Sequence, residues 1–117
     1  MREDKPLRWL AGTLQTPPVG QEARVEAGAL LRRLQRGETL GPPQSKPMPG
    51  VGVRIHELRV NDGASKRTWR IVYRVDPDAI VVVHWWAKKT QKTAEKDLHL
   101  CRTRLRAYDA PASGKRE

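Results

Sequence analysis

The sequence has one cysteine, Cys101, and no phenylalanine among its 117 residues. A single thiol excludes an internal disulfide framework and any cysteine-rich zinc site, and it fits a reducing cytoplasm. Long apolar runs are missing as well. The longest, Ala79–Val83, falls far short of the ~20 residues that cross a bilayer. The N-terminal Met-Arg-Glu-Asp-Lys-Pro leads into no apolar signal-peptide region. Histidine is scarce: His56, His84 and His99 fall on different segments. None has ligand spacing to a Cys or a carboxylate, so neither a metal site nor a cofactor is expected. His84 reads as a satisfied core histidine, and His99 as a surface residue. Walker-type, Gly-x-Gly-x-x-Gly and Gly-x-Ser-x-Gly motifs are absent, which leaves nucleotide cradling and serine nucleophiles without support. There is no internal repeat and no low-complexity block.

What is present is positive charge. Lys and Arg total 23 against 13 Asp and Glu, a net charge of +10. Residues 1–50 hold 8 basic and 5 acidic side chains, and residues 51–117 hold 15 and 8. A field of this sign favours a polyanion, nucleic acid first, over a basic but inert surface. The length suits a single domain, 1–117, that buries enough surface to fold without cross-links. The first five residues and the polar tail 111–117 are expected to fray, leaving a core of about 5–109.

Hydrophobic spacing supplies the elements. Leu7–Leu10 reads as a short strand or a helix start. After the Pro17-Pro18 break, Ala23, Ala27, Leu30, Leu31 and Leu34 form one helical stripe, which predicts a helix over about 19–36. Acidic residues lie early in it and basic ones late, as the helix dipole favours, and Gly37 is its natural stop. Gly41–Gly52 is rich in Pro and Gly and reads as extended loop. Val53–Val60, Thr68–Val75 and Ala79–Trp86 read as three strands joined by short turns, an antiparallel meander. In the second, Trp69, Ile71, Tyr73 and Val75 share one face, and Arg70, Val72 and Arg74 the other. The third is apolar enough to be buried on both faces. Thr93 is placed to N-cap a last helix, with Glu95 in its first turn. Leu98, Cys101, Leu105 and Tyr108 are its stripe, where Cys101 is an ordinary small hydrophobe. The fold class is α+β: helices packed on a small antiparallel sheet, with a possible N-terminal strand.

Basic and aromatic residues crowd that sheet. His56, Glu57 and Arg59 lie on the first meander strand, Arg70, Tyr73 and Arg74 on the second, and Lys88, Lys89 and Lys92 follow the third. Such a set fits metal-free RNA cleavage, in which the substrate's own 2′-hydroxyl is the nucleophile. The protein must supply a base, cations for the phosphate and an acid for the 5′-oxygen. A merely solvated basic face is the alternative.

These residues also resemble a family. Lys46-Pro-Met-Pro-Gly50, His56-Glu-Leu-Arg-Val60, Thr68-Trp-Arg-Ile-Val-Tyr-Arg74, Ala87-Lys-Lys-Thr-Gln-Lys-Thr93, Cys101-Arg102, Arg104-Leu105 and Tyr108-Asp109 are similar to the HigB-like branch of the RelE/ParE toxin superfamily, the phage-derived, host-killing type. The resemblance covers roughly residues 5–109. It departs at Trp86, where many relatives have Phe, and at Ala94, where many have Pro. It implies a curved antiparallel sheet with helices, and the toxin of a type II toxin–antitoxin system. The implied activity is mRNA endoribonuclease on the translating ribosome, in the cytoplasm. The implied partners are mRNA, the ribosome and an antitoxin, usually of helix-turn-helix type. By position, Arg70 matches the family's strand arginine, Lys88 a catalytic acid or base, Glu57 and Arg59 the Glu-Leu-Arg motif, and Tyr73 the motif tyrosine. Arg70 and Arg59 would then stabilise the phosphate. Lys88 or His56 would transfer protons, with Glu57 orienting one of them or acting as base. Tyr73 lies opposite Arg70, so a core role is equally open to it. Lys66, Arg67, Arg74, Lys89 and Lys92 would hold the RNA backbone. The superfamily also contains gyrase poisons, and a non-enzymatic RNA- or antitoxin-binding protein remains a third alternative.

Overall fold

The computed structural model describes residues 3–14, 18–63, 66–88 and 92–111. The chain runs β1 (Leu7–Trp9), α1 (Gln21–Gln35), β2 (Ser45–Pro47), β3 (Ile55–Asp62), β4 (Arg67–Val75), β5 (Ile80–Ala87) and α2 (Glu95–Asp109). The strands form one open sheet in the order β1-β5-β4-β3-β2. The β3-β4-β5 meander is antiparallel as expected. The N-terminal segment is a strand, but it runs parallel to β5, with Leu7 opposite Ile80, so the sheet is mixed. No local signal sets that direction, because the two strands meet across more than seventy residues of chain.

The second departure is β2. Pro-rich sequence argues for loop, yet Ser45–Pro47 pairs antiparallel with β3, Ser45 facing Leu58. The strand survives its proline because it lies at the sheet edge, where a missing N–H costs little. Ser45 is buried because its hydroxyl hydrogen-bonds the Tyr73 hydroxyl at 2.6 Å.

Each helix covers one face of the sheet. α1 turns its predicted stripe, Ala23, Ala27, Leu30, Leu31 and Leu34, onto Leu58, Val60, Trp69, Ile71, Tyr73, Ile80 and Val82. Each of its buried leucines contributes about 1.5–3 kcal/mol. The helix closes where Gly37, at φ 95°, donates to the Leu34 carbonyl and Glu38 to that of Arg33, a left-handed stop that favours glycine. On the other face, Cys101 and Leu105 of α2 pack with Met48, Ile55, Val72, Ala79, Val81 and Val83. Burial pushes the Cys101 thiol up to about 12. His99 is exposed on α2.

Arg74 and Arg102 help to pin α2. The Arg74 guanidinium binds Asp76 at 2.7 Å and Asp109, the last residue of α2, at 2.7 Å. These pairs hold its proton more firmly than is usual even for arginine. Arg102 donates to the Gly50 carbonyl at 2.7 Å. Thr93 does not cap the helix; Ala94 occupies that position with no side-chain bond, because the Thr93 hydroxyl accepts from Arg70. Among the described residues, no helix is long and apolar enough to cross a membrane.

Candidate functional site

One irregularity in β5 shapes the site. Tyr73 pairs with Val82 but Val72 pairs with His84, leaving Val83 as the extra residue of a β-bulge. Strict alternation would send His84 to the α1 side with Ile80 and Val82. The bulge resets the phase, so that Val83 and His84 both face α2, and Trp86 follows them there. Bulges often re-aim side chains next to functional sites.

On that same face, Arg59, Arg70 and Trp86 lie in one row across β3, β4 and β5. The next row begins with Lys46 beside Glu57. Glu57 Oε2 stands 3.7 Å from Arg70 Nε, 3.8 Å from Arg59 Nε and 3.9 Å from Lys46 Nζ. These are charge contacts without hydrogen-bond geometry, and Glu57 Oε2 accepts no hydrogen bond. Glu57 and Arg70 are each 1% exposed. A buried carboxylate is costly alone, so three cations around one oxygen are what keep this one in the interior. Arg70 Nη1 reaches the Thr93 hydroxyl at 2.5 Å.

Above this floor lies an open cavity of about 380 Å³, walled by Arg70, Trp86, Lys88, Lys92, Lys96 and Asp97. Lys88 leaves the end of β5 with its N–H on the Thr68 carbonyl at 2.6 Å. Partial desolvation and the neighbouring charges of Arg59 and Arg70 hold its amine below the usual lysine range. Among the described residues the cavity therefore presents four cations and one carboxylate, a good fit to an anion with room for a nucleotide-sized group. Behind it, His84 stacks on Trp86 at 4.7 Å between centroids. His84 Nε2 meets Asp97 Oδ1 at 3.1 Å, and its Nδ1 accepts from Arg104 at 3.1 Å. Burial, reinforced by Arg104, keeps this imidazole below its usual pKa despite Asp97.

Among the sequence candidates, Arg59, Arg70, Glu57, Lys88 and Lys92 converge here. Lys66 and Arg67 are exposed at the start of β4, at the sheet end where Lys88 lies. His56 and Tyr73 do not join them: they stack on each other at 5.5 Å on the α1 face. There burial raises the Tyr73 pKa, against a smaller lowering by Ser45. Arg74 shares the face of Arg70, but two carboxylates occupy its guanidinium. Lys89 lies outside the described residues. Sequence reasoning passed over Lys46, Thr93, Lys96 and the His84–Asp97 pair. Lys46 stands in one of the quoted motifs, which marks it. Nothing in the spacing marks His84 and Asp97, which meet only because of the bulge. Among the described residues, no three His, Cys, Asp or Glu side chains gather as a metal site.

No curated protein and no solved structure matches the chain. A family model does, over residues 19–106, a span that runs from the start of α1 through most of α2 and contains every residue of the cavity and its floor. The chain belongs to the family described as phage derived protein Gp49-like (DUF891).

Proposed function

We propose that this protein is the toxin of a type II toxin–antitoxin system, HigB-like within the RelE/ParE superfamily, and that it cleaves mRNA without a metal. The observation that carries this reading is the cavity that gathers Arg70, Lys88, Lys92 and Lys96 on a floor where Arg59, Arg70 and Glu57 meet. Its charge suits the scissile phosphate. Arg70 and Arg59 would stabilise the negative charge that grows on the phosphate oxygens as the 2′-oxygen attacks. Lys88, an ammonium made more acidic by its surroundings, would protonate the departing 5′-oxygen. Glu57 lies beneath the floor and acts as a positioning residue, holding the cations in place rather than touching RNA. His56 and Tyr73 belong to the other face and have no part in the chemistry. Membership of a phage-derived family agrees with a host-killing role. The ribosome would present the mRNA, an antitoxin would neutralise the protein, and both would be met in the cytoplasm.

The test is cleavage of mRNA in a reconstituted translation mixture, with products mapped by primer extension. Arg70→Ala should slow cleavage by about 10²–10³-fold. Arg70→Lys keeps the charge over Glu57 but loses the planar fork. It should remain folded and still cleave poorly. Normal cleavage by folded Arg70 variants would remove Arg70 from the chemistry. Wild-type protein that binds RNA without cutting it would overturn the nuclease reading.

A further inference from the structure

The cleavage reading leaves one role unfilled, because the proton of the attacking 2′-hydroxyl needs an acceptor. Lys88, Lys92 and Lys96 are basic side chains, Glu57 is buried and does not line the cavity, and His56 faces α1. Among the described residues, Asp97 is the carboxylate in the cavity wall. Resting on the nuclease reading, we infer that Asp97 is the general base of this site and that His84 is its positioning residue.

Geometry fixes the pair from both sides. Arg104 Nη1 donates to His84 Nδ1 at 3.1 Å and to the Val83 carbonyl at 3.0 Å. An arginine cannot accept, so Nδ1 carries the lone pair and Nε2 carries the hydrogen. Nε2–H therefore donates to Asp97 Oδ1 at 3.1 Å. Stacking on Trp86 fixes the ring plane. His84 and Asp97 side chains are 14% and 15% exposed, so the carboxylate is restrained but not sealed. A neutral imidazole orients Asp97 without cancelling its charge. The charged groups around the pair are Arg104 on α2, Arg70 on β4, and Lys88, Lys92 and Lys96 at the cavity rim.

The step balances without a co-reactant. The 2′-hydroxyl proton passes to the Asp97 carboxylate as the 2′-oxygen bonds to phosphorus. The bond from phosphorus to the 5′-oxygen breaks, and Lys88 gives that oxygen a proton. The products are a 2′,3′-cyclic phosphate and a 5′-hydroxyl. Solvent then returns a proton to Lys88 and removes one from Asp97.

The experiment uses the full chain and combines three readouts: cleavage of mRNA in the translation mixture across pH, anisotropy with a 2′-O-methyl oligoribonucleotide, and Tm. Asp97→Asn should slow cleavage at least 10²-fold, leave oligonucleotide binding within about threefold, and change the shape of the pH–rate profile. His84→Ala should lower kcat with little change in KM, and His84→Gln, which restores a donor near Nε2, should recover part of the loss. If Asp97→Asn does not fold, Asp97→Glu carries the comparison, with at least tenfold slower cleavage expected from the displaced oxygen. Wild-type cleavage matched within threefold by folded Asp97→Asn would overturn the assignment and leave the nuclease reading standing. Loss of oligonucleotide binding with an unchanged pH profile would overturn it equally. A wild-type protein that binds the oligonucleotide but cuts no mRNA would overturn the nuclease reading, and the base with it.

Discussion

Glu57 Oε2 and Arg70 Nε, diagonal neighbours on β3 and β4, face each other at 3.7 Å with 1% of each residue exposed. Arg59 and Lys46 approach the same oxygen from more exposed positions. Glu57→Gln keeps the shape and removes the anion, leaving three cations without their shared counter-charge. Stability should fall by roughly 1–3 kcal/mol, below the figure for a fully buried pair because Arg59 and Lys46 reach solvent. Inorganic phosphate should return part of that loss by occupying the cavity. Thermal unfolding with and without phosphate measures both effects, and an unchanged Tm would show that the carboxylate is not what holds the cluster.

Arg74 offers a graded comparison. It is buried, as is Asp76, whereas the Asp109 side chain is 52% exposed. Asp76→Ala should therefore cost about 3 kcal/mol and Asp109→Ala about 1 kcal/mol or less. Urea denaturation should also find Arg54 involved in the first case, since its Nη1 lies 3.4 Å from Asp76. Equal costs would mean that burial does not decide the strength of these pairs.

Two glycines should respond with opposite sign to the same substitution. Gly20 precedes α1, and its N–H donates to Asp62 Oδ2 at 2.9 Å. A methyl group there would collide with that same carboxylate, whose residue is itself buried. Gly20→Ala should destabilise by about 1–3 kcal/mol. Gly28 sits within α1 with nothing near the site of an added Cβ. There Gly28→Ala should stabilise by about 0.5–1 kcal/mol through helix propensity alone. Chemical denaturation of the two variants checks the signs.

The sequence was legible where spacing and burial coincide. The α1 stripe, the meander and the faces of Trp69 through Val75 all follow from period 3.6 or period 2. It was illegible where a residue's role depends on a distant partner. Ser45 is buried because Tyr73 meets it 28 residues on. Thr93 is drawn from its cap by Arg70. Arg74 reads as an RNA-facing cation until Asp109 is seen beside it. Local pattern records which face a strand residue takes, but not which opposite charge the fold brings to it. The bulge at Val83 is the sharpest case, since it reverses the face of His84 and nothing in an apolar β-branched run announces it.

His84 gives the pH dependence. Its pKa in the folded protein lies below the ordinary value, because burial disfavours the charged ring and Arg104 repels it. The unfolded chain titrates near the ordinary histidine value of about 6.5. Below that pH the unfolded state binds a proton that the folded state refuses, so stability rises with pH across the interval between the two values. The stabilisation is complete above about 6.5 and is lost as pH falls toward the folded value, with a slope of up to about 1.4 kcal/mol per pH unit. Below the folded value both states are protonated and this contribution is flat. Protonation places a second donor at Nδ1, where Arg104 already donates, and so strips α2 of one of its ties to β5. His84→Gln should remove this part of the slope without adding a new titration. Urea denaturation of both proteins at intervals from pH 4.5 to 8 measures the difference, and parallel curves would show that His84 titrates alike in both states.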